Sequence, residues 1–196
     1  MSTRNCMLQN DVSLRSAFGL SLVALLVMGL SYSLLGTALG RVLFPGQASG
    51  SIVERDGRAV GSALVAQAFV ADRYFQPRPS APNHDPMSAA GSNQARSNPE
   101  LRKRIDEARA AVAAREGIAA DAVPVELVTQ SGSGLDPDIT PEGARVQAAR
   151  VARVRGLAQA RVEALITRQI AAPQFGLFGE PRVNVLELNL ALDALR

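Results

Sequence analysis

The chain has 196 residues, enough for one membrane anchor and one domain with a modest core. Its formal net charge is +3, and +2 of that comes from Arg4, Arg15 and Arg41 against Asp11. The eighteen basic and seventeen acidic residues that follow nearly cancel, which excludes the clustered positive charge a nucleic-acid binder needs.

Residues 16–40, SAFGLSLVALLVMGLSYSLLGTALG, contain no charge. A bilayer core about 30 Å thick takes about 20 apolar residues in a helix, so this stretch is expected to span a membrane. Arg15 and Arg41 mark its ends, with Tyr32 as the one aromatic of interfacial type. A cleaved signal peptide competes with this reading, because Ala38-Leu39-Gly40 offers small residues at a cleavage site. Hydrophobic signal cores run to about 15 residues at most, and this one is longer, which favours an anchor. Gly19, Gly29, Ser31, Ser33 and Gly36 suit close approach by another helix, or simply reflect the abundance of Gly and Ser in membrane helices. The positive-inside count leaves orientation open, while the short tail before the helix suits a cytoplasmic N-terminus.

After a flexible link at 45–50, Ile52–Arg55 and residues 58–65 flank Asp56-Gly57, a hairpin signal. Residues 76–98 are rich in Pro, Ser, Asn and Gly and predict a long loop. A helix is expected from Ser97-Asn98-Pro99-Glu100, which combines a cap, a first-turn proline and a capping-box glutamate. Leu101, Ile105, Ala108 and Val112 form its apolar stripe, and Gly117 ends it.

Residues 123–128 read as a short strand, and 130–138 as turns. Thr140-Pro141-Glu142 starts another helix, with Val146, Val151 and Val154 inward. Gly156 breaks or kinks that helix, the apolar face continues through Leu157, Val162, Leu165, Ile166 and Ile170, and Pro173 stops it. Residues 182–192 read as a closing strand, since Val183 and Val185 alternate with polar neighbours. The fold class expected is α+β: a single N-terminal transmembrane helix followed by one mixed α/β soluble domain. The boundaries are a short tail at 1–15, the anchor at 16–40 and the domain at 41–196.

Catalytic chemistry is scarce. Cys6 is the only cysteine and His84 the only histidine, so neither an intrachain disulfide nor a Cys/His zinc set can form. The Gly-Ser loop at 131–134 lacks the lysine of a phosphate loop, and a nucleophile elbow centred on Ser133 fails because Ser131 and Leu135 stand where glycines are required. Asp136 and Asp138 are too few for a calcium loop and read as turn and cap residues. Arg145, Arg150, Arg153, Arg155 and Arg161 are expected on a solvated helix, with an acidic partner surface or phosphate as the alternative. No catalytic residue and no metal ligand is assigned.

The loops carry a resemblance. Gly61-Ser62 with Gln67 and Phe69, then Tyr74-Phe75-Gln76-Pro77-Arg78-Pro79-Ser80-Ala81, Gly91-Ser92-Asn93, VTQSGSGLDP at 128–137, Gln147 with RVAR at 150–153, and GEPRVNVLELNL at 179–190 together resemble the C subunit of Kdp-type potassium-transporting ATPases. The similarity runs over nearly the whole chain. Asp138 and Thr140 depart from it, standing where the family has histidine and serine, as does Gln130, which replaces a small residue.

The resemblance implies a non-catalytic accessory subunit of a potassium uptake complex of the bacterial inner membrane. Its partners would be a potassium-selective channel-like subunit, a P-type ATPase subunit, a small helical subunit and membrane lipid, with no nucleic acid. ATP and potassium would be handled by the complex, with no cofactor bound by this chain. The N-terminus would be cytoplasmic and the domain periplasmic. Two roles are open: a cap or support on the outside of the potassium-selective subunit, or a chaperone that raises ATP affinity by touching nucleotide. Ser131, Gly132, Ser133, Gly134, Leu135, Asp136 and Pro137 form the candidate nucleotide or partner-contact loop. Gln67, Tyr74, Phe75, Arg78, Ser92, Asn93, Gln147, Arg150, Arg153 and Asn184 are candidates for a partner interface.

Overall fold

The computed structural model describes residues 3–195, and the side chains of 14–195. The chain divides into two units, one ending at Ser51 and the other beginning at Ile52.

The first unit is helical. Helix α1 (Thr3–Ala24) passes through a π-helical segment, Leu25–Ser31, into α2 (Tyr32–Leu43). Within Leu14–Leu43 an 18-residue window reaches a mean hydropathy of 2.1 and none of it is buried, which suits side chains facing lipid. The 30 residues of the whole stretch are about 45 Å long at the usual helical rise, more than the 16–40 expected and enough to cross with tilt. The π segment contains Gly29, where the wider turn meets no Cβ of its own. Phe44 leaves the helical region at φ −137°, and α3 (Pro45–Ala48) is a single turn.

The second unit opens with strands β1 (Ile52–Arg55) and β2 (Arg58–Ser62), antiparallel with a bulge between Val53 and Glu54. Asp56 and Gly57 take φ of 53° and 73°, as the tight turn requires. Pairing ends at Ser62, three residues short of the expected limit. Residues 66–98 then run without strand or α-helix, apart from one 3-10 turn at Pro86–Ser88.

Asn98 caps α4 (Pro99–Glu116) by accepting from the Glu100 N–H at 3.0 Å. With the cap at 98, Glu100 lies one residue too early to close the expected capping box. Gly117, at φ 69°, ends the helix as predicted.

The strand expected at 123–128 is instead a 3-10 turn at Val125–Leu127, preceded by another at Ala120–Ala122. Val123, Leu127 and Val128 are buried while Val125 is 67% exposed, so the segment lacks the alternation of a strand. Strand β3 (Asp138–Ile139) leads into α5 (Pro141–Arg155), whose cap Thr140 accepts from the Gly143 N–H at 3.0 Å. Val151 faces the core as expected, but Val154 is exposed.

Gly156 terminates α5 outright, and α6 (Gln159–Arg168) is a separate helix. Ile170 belongs to strand β4 (Ile170–Ala171) rather than to that helix. The closing segment is also corrected: β5 covers only Arg182–Asn184, and α7 occupies Val185–Asp193. Asn184 turns the chain by accepting from the Glu187 N–H at 3.1 Å, and Val185, Leu188, Asn189 and Leu192 then repeat at helical spacing on the buried side.

The three short strands form an antiparallel sheet ordered β3-β5-β4. The core lies between this sheet and the helices. Ala144 and Ala148 of α5 are fully buried, and their small side chains let Val162 and Ile166 of α6 and Leu188 of α7 close in.

Candidate functional site

Residues 72–76 cross the domain without a strand partner, so side chains must satisfy their backbone. Arg150, 2% exposed on α5, does most of this. Its Nη1 donates to the carbonyls of Asp72 and Tyr74, its Nη2 donates to Gln147 Oε1 at 2.9 Å, and its Nε reaches both Glu116 carboxylate oxygens at 3.1 and 2.9 Å. Gln147 accepts from the Gln76 N–H at 2.8 Å and returns a bond to the Gln76 carbonyl at 3.1 Å. Asn189 on α7 pairs with Phe75 in the same two-way fashion, 2.9 Å each way. Phe75 itself is completely buried. The segment is thus clamped as though it were a strand, by amides and a guanidinium from two helices.

A second knot joins 78–92 to the 131–137 loop. Arg78 and Asp136 pair at 2.8 Å, and Ser80 Oγ donates to the Gly134 carbonyl at 2.7 Å while accepting from the His84 N–H at 2.8 Å. The Ala66 N–H donates to the Leu135 carbonyl at 2.9 Å. The glycines permit this closeness. A Cβ on Gly91 would lie 2.7 Å from the Gly132 carbonyl oxygen, and one on Gly134 (φ 71°) would meet Pro82 at 2.4 Å.

The predicted residues therefore separate into three groups. Phe75, Gln147 and Arg150 are internal; Arg145, Arg153 and Arg161 are exposed as expected, Arg155 is half-buried, and Arg150 alone of the five is buried. Gln67, Tyr74, Arg78, Ser92 and Asn184 are half-buried with structural contacts. The Gln67 amide lies across Gly61, Tyr74 Oη bonds Asp193 at 3.2 Å, Ser92 accepts from Arg104, and Asn184 donates to the Ala63 carbonyl at 2.8 Å. Only Asn93, Gly132, Ser133 and Arg153 are fully open to solvent, while Ser131 and Gly134 are buried and Leu135, Asp136 and Pro137 half-buried.

Glu116, Asn189 and Asp193 were not foreseen as part of this scaffold. A signal for the internal pair does exist: Ala144, Gln147, Ala148 and Val151 share helical spacing, which puts Gln147 on the apolar face of α5.

Two carboxyl groups are perturbed. Burial pushes Asp138 up, more than Arg182 beside it and the Asn184 hydrogen bond pull it down, and the nearby Asp136 charge adds to the rise. Burial also acts to raise Asp193, but the Arg155 hydrogen bond and charge outweigh it. With further bonds from Tyr74 and Arg55, they hold Asp193 below the ordinary range. Among the described residues, no group of three or more His, Cys, Asp or Glu could hold a metal ion.

A family model described as KdpC, K+-transporting ATPase, c chain, matches residues 14–194. A protein of Xanthomonas campestris pv. campestris strain B100 named Potassium-transporting ATPase KdpC subunit is 59% identical over 186 residues, covering 95% of this chain and 89% of that one. Proteins of the same name from Methylococcus capsulatus, at 51% over 178 residues, and Shewanella putrefaciens, at 50% over 175, cover 89% of this chain and 94% and 88% of their own lengths.

Proposed function

The chain belongs to the KdpC family of potassium-transporting ATPase subunits, and from that membership we propose that it is a non-catalytic accessory subunit whose domain lies outside the cytoplasm. There it caps or supports the potassium-selective, channel-like subunit. The P-type ATPase subunit and the small helical subunit of the same inner-membrane complex complete its partners. Asn93, Gly132, Ser133 and Arg153, open to solvent, are the contact residues this reading uses.

The observation that carries it is the state of the 131–137 loop. Its Gly134 N–H donates to the Ser131 carbonyl at 3.3 Å, its Leu135 N–H to Ser133 Oγ at 3.1 Å, and the Asp138 N–H beyond it to Asp136 Oδ1 at 3.1 Å. Donors consumed in this way are unavailable to a phosphate, and no lysine lies in the loop. A loop that spends the Gly134 and Leu135 donors on its own turn, and that offers no lysine, suits a shaped contact surface better than a nucleotide cradle. Any influence on ATP would then travel through the anchor and the partner subunits.

Protease treatment of intact spheroplasts tests the placement: the domain is expected to be cleaved, and a protected domain would sink the cap. Nucleotide titration of the full chain tests the competing role. No saturable binding is expected; binding lost on Ser133→Ala would favour direct nucleotide contact instead.

A further inference from the structure

Between β4 and β5 the chain makes a tight hairpin whose tip is apolar. Phe175, Leu177 and Phe178 are 83%, 80% and 66% exposed. The ten residues 170–179 carry no charge; the exposed Arg168 precedes them, and Glu180 and Arg182, the latter paired with Asp138 at 3.1 Å, follow. The tip is braced rather than loose. Gln174 and Phe178 exchange both backbone bonds at 2.9 and 3.0 Å, the Gly176 N–H donates to the Pro173 carbonyl at 3.0 Å and the Leu177 N–H to the Gln174 carbonyl at 3.1 Å. Phe175, Gly176 and Gly179 hold positive φ to make the turn.

We propose that this tip is a second membrane contact, which inserts Phe175, Leu177 and Phe178 into the interfacial layer of the bilayer that holds the N-terminal helix. The inference rests on the anchor reading. Three features select lipid over a protein partner. The Gln174, Gly176, Leu177 and Phe178 N–H groups are already paired within the turn, which lowers the cost of entry into an apolar phase. Its apolar side chains are Phe and Leu, without the Tyr, Trp or Arg that dominate protein hot spots. Finally, only eight residues, 44–51, separate the end of α2 from the second unit, a contour below about 30 Å, so a bilayer is always at high effective concentration.

The chain contains no tryptophan, so Phe178→Trp and Leu177→Trp each install a single reporter at a solvent-facing position where folding is not at stake. Each full-length variant is reconstituted into phosphatidylcholine–phosphatidylglycerol vesicles with brominated acyl chains. The expected result is blue-shifted emission, quenching by the lipid bromine and protection from aqueous iodide. Adding Phe175→Ser should reverse all three in either variant. Flotation of every variant with the vesicles reports the anchor separately, so loss of flotation indicts the anchor and not the tip. Iodide-quenched, bromine-insensitive emission from a floating chain would overturn the proposal. So would photocrosslinking from position 178 in the assembled complex that yields adducts with another subunit and none with lipid.

Discussion

Replacing Arg150 with methionine should be among the most damaging single changes in the domain. The substitution keeps the volume but removes the guanidinium from Glu116, from the Asp72 and Tyr74 carbonyls and from Gln147. An orphaned buried carboxylate costs about 3–5 kcal/mol, and each unpaired buried carbonyl about 1–3 kcal/mol. Two contacts soften the loss: Glu116 keeps Arg115 Nε at 2.7 Å, and Gln147 Oε1 keeps the Gln76 N–H. The net cost should be about 5 kcal/mol, comparable with the whole stability of a marginal domain. Arg150→Lys should lose about half as much, since one ammonium cannot span four acceptors. The double variant Arg150→Met with Glu116→Leu should be more stable than Arg150→Met alone, because only the carbonyls remain unpaired. Denaturant unfolding of the detergent-solubilised chain gives these values, and hydrogen exchange at 72–76 locates the damage. A cost below about 1 kcal/mol for Arg150→Met, or strict additivity in the double variant, would refute the clamp.

Asn189→Ala should destabilise by about 2–3 kcal/mol, because both backbone groups of the buried Phe75 lose their partner; the Phe75 amide should then exchange much faster. For Asp193 the folded value is lowered, so its stabilisation is full above the ordinary carboxylate range and disappears as pH falls through the folded value. The difference in urea midpoint between the wild type and Asp193→Asn should therefore be largest near neutrality and close on acidification. Asp138 has the opposite sign: its raised value makes the ionised form unfavourable, so Asp138→Asn should be no less stable than wild type near neutrality, and the wild type should gain on it as pH falls. Gly134→Ala should cost about 2 kcal/mol or more through strain at positive φ and the clash with Pro82, and Gly91→Ala a comparable amount through the Gly132 carbonyl, read from thermal unfolding and from co-purification with the partner subunits.

How far the fold was legible follows from the range of the forces involved. The 76–98 loop, the Asp56-Gly57 turn, the Thr140 cap and the Gly117 stop depend on neighbours within a few residues, and each was correctly placed; the helix start at 97–100 was also located, though not its capping box. The segments 123–128 and 185–192 do not form the strands expected of them because short apolar runs fit either period, and only the core decides which side chains are buried; 182–184 is the strand expected. Gln147 and Arg150 could be recognised as motif residues but not as internal ones, since their partners outside α5 lie 34 to 78 residues away in the chain.

The sequence by itself determined a helix long and apolar enough to cross a membrane, because its uncharged run matches the length that bilayer thickness and backbone hydrogen bonding demand. It also carried the family, through loop motifs that survive in order. Tertiary structure decided what those motifs do. It turned Arg150, Gln147 and Asn189 inward to serve a strandless segment whose buried backbone had no other partners. The outward-facing set was thereby reduced to a few loop residues and the apolar 173–179 tip.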